Sequence, residues 1–375
     1  MRFFAALLFS LISLSSLAQT PQPPALAAKA WLLLDYGANQ VLTAHNAEER
    51  VEPASLTKLM TAYLTFSAFK ANTLSRDQII PVSERAWKMG GSRMFIEPRH
   101  EVTADALVHG MIIQSGNDAS VALAEAIAGS EEAFADLMNR EAKRLGMTGT
   151  HFMNSTGMPD DQHYTTARDL AILAAAVVRD FPEDYRLYSE KEYTYNGIRQ
   201  PNRNRLLWMD AAVDGIKTGH TEAAGYCLVS SAVRGPRRLI SVVLGSDSDG
   251  VRTQESLKLL NYGFQFFDTV RLYENAAAVS RFRVWKGTAE EVPVGFLSDF
   301  VLSVPKGQAD KLQVKLDSVQ PLEAPVRKGQ EVGTLTLTLD GNTIGSYPVV
   351  ALEEVTLAGW FGRMWDAIRW WIKNL

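Results

Sequence analysis

A serine with a lysine three residues on, Ser55-Leu56-Thr57-Lys58, is the smallest arrangement that makes a hydroxyl nucleophilic without a histidine. On a helix, positions i and i+3 share a face, so the Lys58 amine reaches the Ser55 hydroxyl and, when uncharged, accepts its proton. Two polar clusters follow in order, Ser115-Gly116-Asn117 and Lys217-Thr218-Gly219. They add a second hydroxyl, a carboxamide and a cation, the parts needed to move a proton and to hold a substrate that carries a carboxylate. Lys58 works as a base only if desolvation or a neighbouring cation lowers its pKa toward neutrality, and Lys217 is the expected cation.

The spacing of the first motif is weak evidence alone, since it arises by chance roughly once in a chain of this length. Ser303-Val304-Pro305-Lys306 fits it too, but there a proline breaks the helix that would align the two side chains, in a β context. The elements around the trio are what it requires. Ser55 opens a helical stretch to Phe69 that follows Pro53 and contains no glycine. Ala104 to Ala128 reads as helix cut at Gly110 and at Ser115-Gly116-Asn117, so the second motif falls in a turn between helices. Lys217-Thr218-Gly219 leads into the apolar strand Cys227 to Ala232, with Leu239 to Leu244 as its neighbour. Trp31 to Asp35 and Val41-Leu42 form a hairpin, Thr165-Thr166 caps a helix Ala167 to Val178, and a final helix spans Glu255 to Phe267. Early strand, central helices and late strands specify an α+β domain over 30–267, an antiparallel sheet with helices on both sides.

After Asp268 the texture changes to alternation: Phe282-Arg283-Val284, Val301 to Val304, Leu312 to Leu316 and Leu335 to Leu339, the last ending in the hairpin signal Asp340-Gly341. This predicts a small all-β sandwich domain over 268–355.

The 375 residues, 46% apolar and 21% charged, suit a chain of two domains, and a net charge of −4 without a basic stripe excludes nucleic acid. The single cysteine, Cys227, rules out an intrachain disulfide, and its apolar neighbours make it a small buried hydrophobe. There is no GxSxG elbow, HExxH or Walker loop, and the six histidines are scattered, so no metal or other cofactor is expected. Residues 1–18 read as a secretory signal: Arg2, an apolar run, then Ser16-Leu17-Ala18. A proline-rich linker, 19–29, follows.

The chain resembles the low-molecular-mass penicillin-binding proteins of the D-alanyl-D-alanine carboxypeptidase type. The resemblance covers nearly all of the mature chain. It rests on Pro53 to Lys58, Gln114-Ser115-Gly116-Asn117-Asp118-Ala119, Asp214 to Thr221 and Tyr193 to Asn204, and on the β domain with its terminal helix. It implies a serine β-lactamase/transpeptidase-like fold and hydrolysis of the terminal D-alanine from peptidoglycan stem pentapeptides through an acyl-enzyme on Ser55, with acylation by β-lactams. It further implies that Ser115 relays a proton to the departing nitrogen and that Asn117 orients Lys58 and the peptide carbonyl. The resemblance also implies that the backbone N–H groups of Ser55 and His220 form the oxyanion hole. Lys217, Thr218 and Gly219, with Arg203 and Arg252, hold the substrate carboxylate. Against the family pattern that the resemblance implies, Trp87 to Phe95 reads as a shortened loop. The glutamate that would activate a deacylating water in a class A β-lactamase, in an ExxLN context, is absent. The trio does not separate carboxypeptidase from D,D-endopeptidase action on cross-links; the β domain and terminal helix favour the first. Intact Ser55, Lys58, Ser115 and Lys217 argue against a non-catalytic peptidoglycan-binding protein.

The last segment, 356–375, is expected to be an amphipathic membrane-anchoring helix. At 100° per residue Trp360, Phe361, Met364, Trp365, Ile368, Trp371, Ile372 and Leu375 share one face, and Arg363, Asp366, Arg369 and Lys373 the other, with Trp370 intruding there. Gly359 to Leu375 is too short and too charged to span a bilayer, but aromatic residues beside cations suit the headgroup layer. Export plus this anchor predicts the periplasmic face of a Gram-negative inner membrane.

Overall fold

The computed structural model describes residues 22–373. The expected secretory signal and Leu375 lie outside the described residues, as do the side chains of Ile368, Trp370, Trp371, Ile372 and Lys373. β1 (Ala30–Asp35) and β2 (Gln40–His45) form the first hairpin. A 3₁₀ turn, Ala54–Thr57, runs directly into α1 (Lys58–Lys70), so Ser55 stands on a tighter turn than the expected α-helix. Side chains three apart eclipse in a 3₁₀ turn, which brings Ser55 and Lys58 together more directly than α geometry does. A loop carrying the single turn α2 (Glu84–Trp87) leads to α3 (Ala104–Ile113), α4 (Asn117–Ala128) and α5 (Glu131–Leu145). Gly110 does not cut α3; it lets Met94 pack where a Cβ would sit. The break comes at Ser115-Gly116 alone.

Thr166 caps α6 (Ala167–Asp180), its Oγ1 accepting the Asp169 N–H at 3.1 Å. The turn α7 (Pro182–Tyr185), the hairpin of β3 (Glu192–Tyr195) and β4 (Ile198–Pro201), and the turn α8 (Leu206–Met209) precede three long strands. These are β5 (Val213–Thr221), β6 (Gly225–Arg234) and β7 (Arg237–Ser246), closed by α9 (Asp249–Phe266). Ser248 caps α9, which therefore starts six residues before the expected Glu255. The sheet order is β2-β1-β7-β6-β5, antiparallel throughout. Strands alternate sides, so Leu32, Leu34, Val229 and Val242 join the core under α1 and α3 to α6, while Trp31, Leu33, Leu228 and Val243 face α9. Burial on both faces explains why these strands read as unbroken apolar runs.

The second unit consists of β8 (Phe267–Tyr273), β9 (Ala278–Arg283), β10 (Glu291–Gly295), β11 (Phe300–Pro305), β12 (Leu312–Ser318), β13 (Glu331–Leu339) and β14 (Asn342–Ala351). Five strands form a sheet in the order β12-β13-β14-β10-β9, and β11 pairs with β8 as a separate ribbon. Leu302 and Val304 of the ribbon share a core with Leu335 and Leu337 of the sheet, while the intervening threonines of β13 are more exposed. Asp340 and Gly341 both take positive φ, 47° and 81°, as a two-residue hairpin loop requires. The decoy Ser303 lies in β11 and is a clasp between the two units: its Oγ donates to the buried Asp35 at 2.6 Å, beside Thr269 at 2.9 Å and the Arg237 guanidinium at 2.9 Å.

The chain ends in α10 (Trp360–Lys373). Its Asp366 accepts the Lys286 backbone N–H at 2.7 Å, and Arg369 pairs with Glu290 at 3.2 Å, so its polar side is turned to the β unit. Trp360, Phe361, Met364 and Trp365 stand exposed. Among the described residues no helix is long and apolar enough to cross a membrane.

Candidate active site

The first two residues of the 3₁₀ turn explain why Ser55 presents its hydroxyl. Ala54 is held at φ 48°, a conformation costly for a residue with a side chain, and glycines press on it from two directions. A Cβ on Gly157 would overlap the Ala54 carbonyl, and one on Gly219 would sit 3.1 Å from the Pro53 carbonyl and 3.1 Å from Leu56. The turn is tied from behind by His163. Its Nδ1 accepts the Met153 N–H at 3.1 Å, so Nε2 carries the hydrogen and donates to Thr57 Oγ1 at 2.8 Å. Burial pushes the His163 pKa down to about 4, keeping the ring neutral.

Lys58 is 1% exposed. Its Nζ lies 3.1 Å from Ser55 Oγ, 2.7 Å from Asn117 Oδ1 and 2.6 Å from the Thr156 carbonyl, which fills its donor capacity. Burial lowers its pKa to about 7, and the nearby Arg203 guanidinium adds to the effect. Lys217 shares the same buried cluster, and the repulsion between the two lysines acts on both of them. Lys217 is itself held well below the usual lysine range by burial, then by Lys58, Arg203 and Arg252.

The second motif sits at the turn between α3 and α4, with Ser115 in a left-handed conformation, φ 66°. Ser115 Oγ accepts from Lys217 Nζ at 2.9 Å, which leaves its own O–H free to point elsewhere. Asn117 Nδ2 donates to Gly90 O at 2.8 Å, and the adjacent Asp118 carboxylate accepts the N–H groups of Met94, Phe95 and Ile96. The 87–95 segment is thus stitched to the motif through its backbone.

Ser55, Ser115, Thr218, Gly219 and His220 line one cavity of about 600 Å³ together with Arg203 and Arg252. The trio and both arginines therefore meet at one place, with Lys58 and Lys217 buried beneath. The two arginines differ. Arg203 has no hydrogen-bond or ion-pair partner among the described residues. Arg252, 6% exposed, spends its guanidinium on Gly219 O at 3.0 Å, Cys227 O at 3.3 Å and Asp249 at 2.5 Å. The His220 ring packs on Tyr226 at 4.0 Å. His151 contacts Gln162 O and Tyr164, outside this cavity.

Sequence reasoning missed the floor of the site. Asn154 Oδ1 accepts from Thr156 N at 3.1 Å and Gly157 N at 2.7 Å, and the buried Glu131 holds Ser155 at 2.8 Å, so the Thr156 carbonyl is aimed at Lys58. The one visible signal is Asn154-Ser155-Thr156-Gly157, a run of turn-forming residues. Among the described residues no cluster of three or more His, Cys, Asp or Glu could hold a metal.

The family model of D-alanyl-D-alanine carboxypeptidases, peptidase S11, matches residues 17–248, and that of the penicillin-binding protein 5 C-terminal domain matches 267–357. A curated relative, the D-alanyl-D-alanine carboxypeptidase DacC of Escherichia coli (strain K12), is 45% identical over 358 residues, 93% of this chain and 90% of the relative. Penicillin-binding protein 5 from Haemophilus influenzae superposes with a TM-score of 0.86 at 39% identity, covering 90% of this chain and 99% of that one. Penicillin-binding protein D2 from Listeria monocytogenes, solved in its ampicillin-bound form, superposes at a TM-score of 0.60 and 31% identity over 65% of this chain and all of that one (100%).

Proposed function

The chain belongs to the D-alanyl-D-alanine carboxypeptidase family, and from that premise we propose which of its residues carry out the reaction and where in the cell it takes place. The observation that carries the reading is the Lys58 amine, buried, 3.1 Å from Ser55 Oγ and with its pKa lowered to about 7. Ser55 Oγ attacks the carbonyl carbon of the penultimate D-alanine and its proton passes to Lys58. The backbone N–H groups of Ser55 and His220 stabilise the oxyanion, each donor of this kind being worth roughly 3–4 kcal/mol. The C–N bond then breaks. The leaving nitrogen takes the Ser115 hydroxyl proton, which is replaced by the one Lys58 received, so that Lys58 is neutral again; the Ser115 oxygen is fixed by Lys217 and its O–H is free to turn to that nitrogen. Water, deprotonated by Lys58, hydrolyses the Ser55 ester, releasing the tetrapeptide and restoring the serine.

Thr218, Lys217 and the unpartnered Arg203 receive the terminal carboxylate. Arg252 acts mainly by fixing the Gly219 carbonyl and by its charge, since both its terminal nitrogens already hold partners. A β-lactam presents the same carbonyl and carboxylate, so it acylates the same serine. The test is mass analysis of products. A stem pentapeptide is expected to lose one alanine, with a cross-linked dimer cleaved far more slowly; cleavage of the dimer alone would overturn the carboxypeptidase assignment in favour of the endopeptidase.

Residues 1–18 export the protein and α10 attaches it to the outer, periplasmic surface of the inner membrane. The support is orientation: Asp366 and Arg369 bind the β unit while Trp360, 62% exposed, and Phe361, 75% exposed, face away with Met364 and Trp365. Each large apolar side chain that becomes fully buried contributes roughly 1.5–3 kcal/mol. Partial insertion of four thus rivals one acyl chain, and the cations of the segment add attraction to anionic lipid. Deleting 359–375 is expected to move the protein to the soluble fraction while turnover of a soluble pentapeptide stays within about twofold. Continued sedimentation of the truncated protein with membranes would refute the anchor.

A further inference from the structure

We infer that the wall of the cavity where Arg205 and Asp249 meet takes a second carboxylate, so that the enzyme prefers a terminal D-amino acid with an anionic side chain over its neutral isostere. The inference rests on the carboxypeptidase reading above and extends it to the leaving residue.

Arg203, Arg205, Asp249 and Arg252 line the same cavity as Ser55 and Thr218. The segment that carries the first two alternates. Asn202 and Asn204 are buried, and their side chains bind backbone at Glu190 O, 2.9 Å, and at Leu206 N, 3.1 Å. The exposed arginines at 203 and 205 are thereby turned the other way, toward the cavity. Three guanidiniums line this wall beside the single carboxylate of Asp249, and two of them pair with it. Arg252, buried, takes one of its oxygens at 2.5 Å, and Arg205 Nε takes the other at 2.6 Å with 67% of its side chain exposed.

That carboxylate is worth most to the arginine that cannot reach water, because an uncompensated buried charge is costly and a solvated one is not. Arg205 is therefore only half-compensated, and an exposed pair exchanges one carboxylate for another at little cost. The main carboxylate of the substrate already has Arg203, Thr218 and Lys217. A second one, on the side chain of the leaving residue, finds Arg205. A cavity of about 600 Å³ has room beyond the methyl group of a D-alanine. The bond changes stay as before: the acyl bond to Ser55 forms, the C–N bond breaks, and D-glutamate departs with the proton that D-alanine would take.

The full-length enzyme is to be assayed on three stem pentapeptides that differ in the last residue: D-Ala, D-Glu and D-Gln. The wild type is expected to show kcat/KM about tenfold higher for D-Glu than for D-Gln. Arg205→Gln should bring that ratio to about 1, and Arg205→Lys should keep most of it. Taking the ratio within each variant removes any general loss of activity. A wild type that cleaves the D-Ala peptide but treats D-Glu and D-Gln alike overturns this inference and leaves the carboxypeptidase reading standing. A ratio unchanged in Arg205→Gln also overturns it. A wild type that cleaves no D-Ala-terminated peptide overturns both.

Discussion

Ser55→Ala is expected to abolish covalent labelling by penicillin, with a loss limited only by the detection of the assay, while the protein keeps its fold. The side chain is partly exposed and makes one hydrogen bond, from Lys58, which retains Asn117 and the Thr156 carbonyl when the hydroxyl is gone. Replacing a serine by alanine there opens no cavity of consequence, so the melting temperature should move by no more than about 2 °C, the equivalent of roughly 1 kcal/mol in a chain of this size. Peptide mapping of the acylated wild type checks the assignment. Label on Ser115 would mean that the two hydroxyls exchange roles. Label on Ser303 would contradict the fold, since that hydroxyl is 2% exposed and held against Asp35, out of reach of a ligand.

Ser303 also shows what a sequence can and cannot convey. Its SxxK spacing is as good as that of Ser55, and only the proline and the β-type surroundings set it aside. The same serine turns out to join the two units, a role no spacing announces, because its partner Asp35 lies 268 positions away in the chain. The strands, by contrast, were legible from local pattern. β6 and β7 are buried on both faces and read as apolar runs, and β13 has one face toward the core and reads as alternation. Helix starts were legible where a cap sits next to an apolar face, as at Thr166, and missed where the cap precedes a polar turn, as at Ser248.

For the site, the side chains that do chemistry could be found from the sequence, but the groups that aim them could not. The Thr156 carbonyl that shares Lys58 is a backbone atom with no residue signature. Gly157 and Gly219 matter through contacts with Pro53, Ala54 and Leu56 that exist only after folding. Arg252 was identified as a substrate-facing cation; its distances give it first a hold on Gly219 and Cys227. To the expected effect of Lys217 on Lys58 the fold adds that of Arg203, which no motif spacing announces.

Lys58→Ala is expected to slow acylation by penicillin by at least about 10³-fold, within the 10²–10⁴ typical of a lost general base. Lys58→Arg separates base from cation. The guanidinium keeps the charge but cannot give up its proton, so it should be as inactive as the alanine. If arginine restored acylation, the part played by Lys58 would be electrostatic. The pH profile of the wild type follows from the same pKa. Only the neutral amine accepts the Ser55 proton. Its fraction grows about tenfold per pH unit below about 7, so acylation should climb with that slope and level off above about 7. An unburied lysine would still be climbing at pH 9. Removing the cation that helps depress Lys58, by Arg203→Ala, raises its pKa and should move the climbing limb to higher pH. Lys217 acts with the opposite sign. It must be charged to attract the carboxylate, and burial makes it lose its proton early as pH rises. A bound carboxylate favours the charged form and holds that proton in the complex. The falling limb should therefore appear in kcat/KM, which reports the free enzyme, and be shifted upward or absent in kcat. A profile in which both parameters fell together at high pH would place the descending group in the bound complex and remove Lys217 from the carboxylate site.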